Sequence, residues 1–257
     1  MEIVFLGSGG GRINLVKQIR ATGGFRINSD LANIHIDPGP GALIHSITHR
    51  QNVLDLDCII ITHNHTDHFS DGPVLIEAMT HQTSKKRGVI IGSKNSLIGD
   101  EMTDRCIPRY HQNLVSQIII AKPYETNKII TERGGFTISF YPMKHGEPTA
   151  IGFKIEIEDK IIGHITDTEY IDSLCEDFKG CDVLVVNCIK PQKDKYDGHL
   201  ISSDVIKILK ATNPKKCIIT HLGMKMIQNG AEKEAIKISN ESGVETIAAN
   251  DGMKIEL

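Results

Sequence analysis

The stretch that decides the fold is CIIITHNHTDH, residues 58–68, in which an apolar run ends in a cluster of metal-binding side chains. The residues from Cys58 to Thr62 are apolar or β-branched and predict a buried strand. His63, His65, Asp67 and His68 follow within six positions. Alternate residues of an extended chain point the same way, so His63 and His65 can hold one cation while Asp67 and His68 face a second position. The stretch therefore predicts a stiff strand that carries a metal site at its end.

Further candidate ligands stand after later predicted strands. His145 lies in PMKHGEP, Asp167 in GHITDTEY and His221 in CIITHLG, and each comes after an apolar run. A single histidine in such a place is more often a surface or packing residue than a ligand. The cluster of four candidate ligands at residues 63–68 reverses that expectation, because four ligands are too few for two metal sites and the others must come from elsewhere in the chain. We therefore expect His145, Asp167 and His221 to complete them.

Length and composition place limits on the fold and on the partners. The 257 residues are 40% hydrophobic and contain no low-complexity linker, which favours one α/β domain over residues 1–257. The net charge of -3 gives no overall attraction to nucleic acid. No apolar run approaches the roughly 18 residues of a membrane helix, and the chain enters a strand at once without a signal-peptide pattern. We expect a cytoplasmic protein with no membrane segment and with reduced cysteines.

Short β-branched runs alternate with helical segments along the chain, which predicts two mixed β-sheets packed face to face with helices outside. The predicted strands are Glu2–Leu6, Ala32–Asp37, Asp57–Thr62, Val89–Gly92, Gln117–Ala121, Thr137–Tyr141, Ile151–Ile157, Lys160–Thr166, Val183–Asn187, Cys217–Thr220 and Gly252–Glu256. The predicted helices are Gly41–Arg50, Pro73–Thr80, Ser203–Thr212 and Ala231–Ser242. We expect residues 202–204 to cap the third helix and Glu158-Asp159 to turn a hairpin.

The HNHTDH stretch and the later ligands resemble the HxHxDH signature and ligand set of the metallo-β-lactamase superfamily of binuclear hydrolases. The resemblance implies an αββα sandwich with metals at the sheet edges. It also implies two divalent ions, one held by His63, His65 and His145, the other by Asp67, His68 and His221, with Asp167 bridging them. Nitrogen-rich sites favour zinc, with manganese or iron as alternatives. In such centres a hydroxide held between two metals attacks the substrate.

The ligand types exclude some branches of the superfamily but do not select a single one. Familiar β-lactamases have a cysteine in the second site, and di-iron members replace the second histidine of the signature, so neither pattern fits. Asp37 in HIDPGPG matches a family carboxylate that supports a ligand imidazole, although an aspartate before Pro38 is as readily a turn residue. Thiolester hydrolases and phosphodiesterases remain.

The segment from Gly198 to Gly223 resembles ribonuclease Z and the cyclic phosphodiesterase of phosphonate degradation. The resemblance implies that His199 contacts the scissile phosphate, and it assigns catalysis to His199 together with Asp67. A cationic imidazole there would offset phosphoryl charge and protonate the leaving oxygen, worth roughly 10²- to 10⁴-fold in rate. The alternative is a surface histidine beside a helix.

Two departures from these relatives shape the expected substrate. Only a hairpin fits between His145 and Asp167, where bacterial ribonuclease Z inserts a tRNA-gripping arm, and the N-terminal region lacks the cysteine-rich zinc site of the cyclic phosphodiesterase. We predict hydrolysis of a small phosphodiester, with cyclic diesters among the candidates and with nucleic acid not favoured. A ribonuclease Z-like nuclease acting on RNA and a thiolester or lactone hydrolase are the alternatives, and a homodimer is left open.

Four remaining segments carry weaker signals. Arg105, Arg109, Tyr110 and His111 lie in DRCIPRYHQ, which is either a substrate-contacting loop or an exposed basic turn or dimer contact. The GSGGG run from Gly7 to Gly11 lacks the lysine of a phosphate-binding loop, which favours a tight turn. The basic clusters at residues 85–87 and 190–195 are typical of solvated loops.

Overall fold

The computed structural model describes residues 1–191 and 196–257, whose strands form two seven-stranded sheets. The strands are Glu2–Phe5 (β1), Phe25–Asn28 (β2), Asn33–Ile36 (β3), Cys58–Ile61 (β4), Val89–Gly92 (β5), Gln117–Ile120 (β6), Thr126–Ile130 (β7), Gly135–Pro142 (β8), Ile151–Ile157 (β9), Lys160–Ile165 (β10), Val183–Asn187 (β11), Lys216–Thr220 (β12), Glu245–Ala248 (β13) and Lys254–Glu256 (β14). One sheet has the order β14-β1-β2-β3-β4-β5-β6 and the other β13-β12-β11-β10-β9-β8-β7. Both sheets mix parallel and antiparallel pairs, as the sequence predicts.

Helices connect the strands and cover the outer faces of both sheets. They are Gly11–Lys17 (α1), Ala42–Thr48 (α2), Thr66–Phe69 (α3), Gly72–Met79 (α4), Lys94–Leu97 (α5), Arg109–Gln112 (α6), Leu174–Asp177 (α7), Ser202–Thr212 (α8), Met224–Asn229 (α9) and Ala231–Ser242 (α10), with a 3₁₀ turn at Val53–Asp55. Among the described residues, no helix has the length and apolar character needed to cross a membrane.

The apolar run of β4 shows how side-chain alternation builds the layers. Cys58 and Ile60 pack into the core between the two sheets. Ile59 and Ile61 point the other way and pack against α4, through residues that include Leu75. The strand is fully buried on both faces, which is why its sequence is continuously apolar instead of alternating. The second sheet repeats this arrangement with α8 and α10 on its outer face.

The predicted hairpin is present and the predicted cap of α8 is only partly correct. Ile157 pairs with Lys160 across the two-residue turn, and Glu158 has the left-handed φ of 54° that such a turn needs. Helix α8 begins at Ser202, inside the predicted cap. The carboxylate of Asp204 accepts the backbone N–H of Ile201 at 3.2 Å, whereas the Ser202 hydroxyl donates to a backbone carbonyl before the helix. Asp204 alone therefore fulfils the predicted capping role.

Candidate metal centre

The end of β4 brings the first two histidines of the signature together. The chain bends at His63 and Asn64, is extended again at His65 and then enters α3, which carries Asp67 and His68. His63 Nε2 lies 3.1 Å from His65 Nδ1, and the ring centroids are 4.8 Å apart. The two imidazoles therefore converge on one point, as the sequence predicts.

His145 reaches the same point from the second sheet, in the loop after β8. Its Nε2 lies 3.0 Å from His65 Nδ1, while its Nδ1 lies 2.7 Å from the carbonyl oxygen of Gly198. A carbonyl can only accept, so Nδ1 of His145 donates and its Nε2 presents a lone pair. Asp167, at the end of β10, places Oδ2 3.8 Å from Nε2 of both His63 and His145.

A second group forms beside the first from Asp67, His68 and His221. His221 follows β12 and lies with Nε2 3.3 Å from Asp67 Oδ2. Asp167 stands between the two groups, because its Oδ2 is 3.5 Å from His68 Nε2 and its Oδ1 is 3.3 Å from His221 Nδ1. The structure thus brings together all seven residues that the sequence proposes as ligands.

The donor set fits divalent cations. Within each group the potential ligand atoms lie within 4.8 Å of one another. Nε2 of His68 and Nδ1 of His221 are buried and make no hydrogen bond in this structure. Buried polar atoms rarely lack partners in folded proteins, so these orphaned nitrogens require a cation or a proton-donating group. Closely facing imidazole nitrogens, with lone pairs directed inwards, are the arrangement that zinc and related ions bind.

Hydrogen bonds behind the centre fix which nitrogen each ring presents. Thr62 Oγ1 lies 2.8 Å from Asp37 Oδ2 and 3.0 Å from His63 Nδ1. Because the Thr62 hydroxyl donates to the carboxylate, it accepts from His63 Nδ1 and leaves Nε2 free for a metal. His68 Nδ1 likewise donates to Asp37 Oδ2 at 2.9 Å. Hydrogen bonds of this kind, to the ring nitrogen that does not face the metal, orient metal-binding histidines in other proteins.

Asp37 has both roles that the sequence left open: it forms a turn and it supports a ligand imidazole. Its backbone has a left-handed φ of 51°, which makes the turn into Pro38, and its carboxylate supports His68. Burial alone would raise the pKa of Asp37, but the imidazoles of His68 and His164 outweigh it and hold the pKa far below its usual value. Burial likewise opposes the protonation of His68, yet Asp37 and Asp67 together raise its pKa well above the ordinary value. The carboxylates therefore remain charged beside the ligand rings.

His199 lies at the edge of the centre, on a tight turn after β11. Its Nδ1 is 3.6 Å from Asp167 Oδ2, and its ring centroid is 5.0 Å from that of His145. Burial lowers its pKa to about 4 despite the opposing charge of Asp167, so the imidazole of the free protein is neutral at pH 7. The cationic imidazole that the sequence predicts for contact with a phosphate would therefore have to gain its proton when the substrate binds, and it stays a prediction. His199, Asp167 and His221 also form a third close group of potential ligands.

The model of the beta-lactamase superfamily domain matches residues 32–222, which include every residue of both ligand groups. The chain belongs to the metallo-β-lactamase superfamily. The prediction from the HNHTDH stretch is therefore confirmed at the level of the superfamily.

Relatives of this superfamily match the whole chain. The Uncharacterized protein MJ1374 of Methanocaldococcus jannaschii is 36% identical over 259 residues, covering 100% of this chain and 95% of that protein. The crystal structure of the metallo-β-lactamase fold protein YhfI from Bacillus subtilis has a TM-score of 0.79 at 20% identity and covers 100% of this chain and 98% of that one.

Two further solved structures share the fold. Human tRNase Z, short form, has a TM-score of 0.70 at 17% identity and covers 100% of this chain and 99% of that one. A diphosphatase from the PhnP family has a TM-score of 0.71 at 17% identity, and the match covers 100% of this chain and 98% of the diphosphatase chain. These likenesses support the αββα sandwich of two mixed sheets that the sequence predicts.

The GSGGG run in this superfamily member is a turn that packs against a candidate ligand. Gly9 pairs with Leu222, and Gly10 donates its N–H to the Leu222 carbonyl at 3.1 Å. A Cβ on Gly10 would lie 2.2 Å from Cγ of the His221 ring. His221 itself has a left-handed φ of 56°, a conformation that persists in non-glycine residues only when the surroundings impose it. Glycine at position 10 therefore makes room for the His221 imidazole.

We expect Gly10→Ala to displace the His221 ring and to weaken metal binding at the group of Asp67, His68 and His221. Changes that disturb ligand orientation typically cost about 10- to 100-fold in metal affinity, and we expect a loss of this size. Zinc titration of the chelated protein with a competing indicator measures it.

The matched control is Gly146→Ala, which lies next to His145 but where an added Cβ meets nothing within 4 Å. Equal zinc affinities for Gly10→Ala and the wild type would show that the His221 ring does not depend on this turn.

The segment from Asp104 to Gln112 lies beside the centre without entering it. Cys106 Sγ is 3.9 Å from the carbonyl oxygen of Asn64, between the first two histidines of the signature. His111 Nε2 lies 3.2 Å from Glu77 Oε1. Tyr110 is exposed, as are parts of the basic residues Arg105 and Arg109. Of the basic cluster at residues 190–195, positions 192–195 lie outside the described residues.

Sequence reasoning missed two supporting residues. Asn187 Nδ2 donates to Asp167 Oδ1 at 2.8 Å and so fixes the carboxylate between the two groups. Its position at the end of an apolar strand is the same signal that identified the ligands. His164 is buried in β10 with Nε2 3.9 Å from Asp37 Oδ2. A lone histidine inside a strand carries no such signal.

Proposed function

We propose that this protein is a metal-dependent phosphodiesterase that hydrolyses a small phosphodiester at a binuclear centre. The observation that carries the proposal is the position of His199, a ring next to both candidate ligand groups but attached to a separate turn. The structural neighbours named tRNase Z and PhnP family diphosphatase act, by those names, on phosphorus–oxygen bonds, which supports phosphoryl chemistry here. Metal-dependent hydrolysis is the more general activity that the superfamily supports.

The chain's residues would divide the work as follows. His63, His65 and His145 would hold one ion and Asp67, His68 and His221 would hold the other, with Asp167 facing both groups. The bound ions, of which zinc is favoured, supply Lewis acidity and lower the pKa of water. Asp37 and the Gly198 carbonyl keep the rings of His68 and His145 in the tautomer that presents Nε2 inwards.

His199 would act on the leaving group. A neutral imidazole donates one N–H to a phosphoryl or leaving oxygen, and an anionic phosphodiester bound beside the ring favours its protonated form. In that form His199 would transfer a proton to the leaving oxygen as the oxygen of a water molecule bonds to phosphorus and the bond from phosphorus to the leaving oxygen breaks; the proton that the water loses restores the charge balance. A thiolester would gain less, because a thiolate leaves without a proton donor. This difference separates the phosphodiesterase from a thiolester hydrolase, whereas a lactone, which also releases an oxygen, is distinguished by testing it as a substrate.

The small-substrate part of the proposal rests on the short connection between two ligands. Between His145 and Asp167 the chain forms only the hairpin of β9 and β10, with a two-residue turn. Neither this hairpin nor the net charge of -3 provides a surface that neutralises many phosphates. The alternative to a small diester is RNA, and the fold shared with tRNase Z is the observation that favours it. A cytoplasmic location and a homodimer remain predictions.

We expect the purified protein to hydrolyse bis-p-nitrophenyl phosphate or a cyclic nucleotide, to lose this activity with chelator and to regain it with zinc or manganese. The rate should depend only weakly on salt, in contrast to a protein with about 6 to 10 phosphate contacts, which loses roughly 10³- to 10⁵-fold in affinity between 50 and 200 mM salt. A panel that also includes pre-tRNA, a thiolester and a lactone measures this. Efficient pre-tRNA cleavage with a steep salt dependence and no small-diester turnover would replace the proposal with the nuclease.

A further inference from the structure

The turn from Tyr196 to His199 brings an aromatic ring and an ammonium group to the edge of the centre. The ring centroids of Tyr196 and His199 are 5.3 Å apart, with a tilt of 32°. Lys190 Nζ lies 4.0 Å from the centroid of the Tyr196 ring, a cation–π distance. The three side chains therefore form a continuous patch that begins at the candidate catalytic imidazole.

This turn is held rigidly against the centre. His199 donates its N–H to the Tyr196 carbonyl at 3.1 Å, and Gly198 takes the left-handed φ of 77° that closes the turn. The Gly198 carbonyl accepts from His145 Nδ1 at 2.7 Å, and its N–H donates to Glu169 Oε1 at 3.2 Å. The turn is thus tied to a candidate ligand on one side and to a carboxylate on the other. The backbone of Tyr196 is linked to the candidate centre through this turn.

The patch has the chemistry of a ligand-binding surface. Tyr196 is 44% exposed, so much of its ring is open to solvent. In the part of the chain that the structure describes, no carboxylate lies within ion-pair distance of Lys190 Nζ. By contrast, the nearby Lys144 is paired with Glu169 at 2.8 Å. An exposed aromatic ring beside an ammonium group matches a ligand that offers a planar group and a negative charge.

We propose that Tyr196 and Lys190 form the subsite for the leaving group of the phosphodiester, and that this subsite takes a planar ring such as that of a nucleoside together with an anionic oxygen. The inference rests on the proposed function, because it places the leaving oxygen at His199. The atoms beyond that oxygen then lie along the Tyr196 ring, and Lys190 is within reach of an adjacent negative group.

The test compares equilibrium binding of adenosine 5′-monophosphate and ribose 5-phosphate to the zinc-loaded protein by calorimetry. The two probes share the phosphate and the sugar and differ in the base. Stacking of a base on an aromatic side chain makes the nucleotide bind about tenfold more tightly. We expect Tyr196→Ala to remove this ratio and Tyr196→Phe, which keeps the ring, to preserve it. Lys190→Gln should weaken both probes by a similar factor.

The matched control is Tyr124→Ala, an exposed tyrosine in the connection between β6 and β7. A wild type that binds both probes equally, or a Tyr196→Ala variant that keeps the ratio, would overturn the subsite. Failure of the proposed function would appear differently, as a wild type without phosphodiester turnover. The binding ratio is measured without turnover, so the two failures are distinguishable.

Discussion

Replacing Asp167 with alanine is expected to remove metal from both ligand groups and to abolish hydrolysis. The carboxylate is buried, with Oδ2 3.8 Å from His63 Nε2 and Oδ1 3.3 Å from His221 Nδ1, so a single side chain faces both groups. Its loss removes the one carboxylate charge that faces both groups, and so weakens the attraction of each group for a cation. Metal analysis of protein purified without chelator should give about two ions per chain for the wild type and less than one for Asp167→Ala.

Two variants separate the ligand role from a structural one. Asp167→Asn keeps an oxygen that accepts from Asn187 and keeps the volume of the side chain, but it removes the charge. We expect this variant to fold and still to lose metal. Asp182→Asn changes an aspartate at the opposite end of β11, which pairs with Lys215 at 2.7 Å, and should retain both ions. A wild type that stays at one ion per chain with excess zinc and manganese would refute the binuclear arrangement.

Strands with a clear apolar run were predictable from the sequence, including the exposed edge strands β6 and β14, whereas β2, β7 and β13 were missed. The bounds of β5, β9 and β11 agree with the prediction because each is a continuous or strongly alternating apolar run between turn residues. Strand β7 was missed because its residues are mostly exposed at the edge of the sheet, and β13 lies at the other edge. An edge strand carries a weaker apolar pattern, since only one face needs to be buried.

Strand β2 was missed for a different reason, because a charged residue occupies its middle. Arg26 is 2% exposed, and its Nη1 donates to the Asn52 carbonyl at 3.0 Å. Burial lowers the pKa of this guanidinium to about 10, although nearby carboxylates oppose the shift. An arginine that is buried and paired with a backbone carbonyl is uncommon. Helix α1 was missed because it begins at Gly11, within a run of glycines that indicated a turn.

The candidate ligands were predictable because each follows a strand. The hydrogen bonds that orient them were not. Parallel strands end at one edge of a sheet, so the positions of Asp167 and His221 after β10 and β12 already indicated a common site. The bond from His145 to the Gly198 carbonyl joins residues 53 positions apart and involves a backbone atom, which leaves no mark in the sequence. The neutral state of His199 depends on burial by the folded chain. Such features appear only when the tertiary structure is known.

Replacing His199 with alanine is expected to lower phosphodiester turnover by roughly 10²- to 10⁴-fold while both metal ions stay bound. The ring contacts the centre through Asp167 at 3.6 Å but stands on its own turn, so its removal leaves the two main ligand groups intact. The loss should be larger for an alkyl leaving group than for p-nitrophenolate, because the poorer leaving group needs the proton. Thiolester hydrolysis, if present, should change little. His49→Ala, which removes a histidine from the end of α2, is the control and should leave both rate and metal content unchanged. A loss of metal from His199→Ala would instead make His199 a ligand in the group with Asp167 and His221, and an unchanged rate on both diesters would exclude it from catalysis.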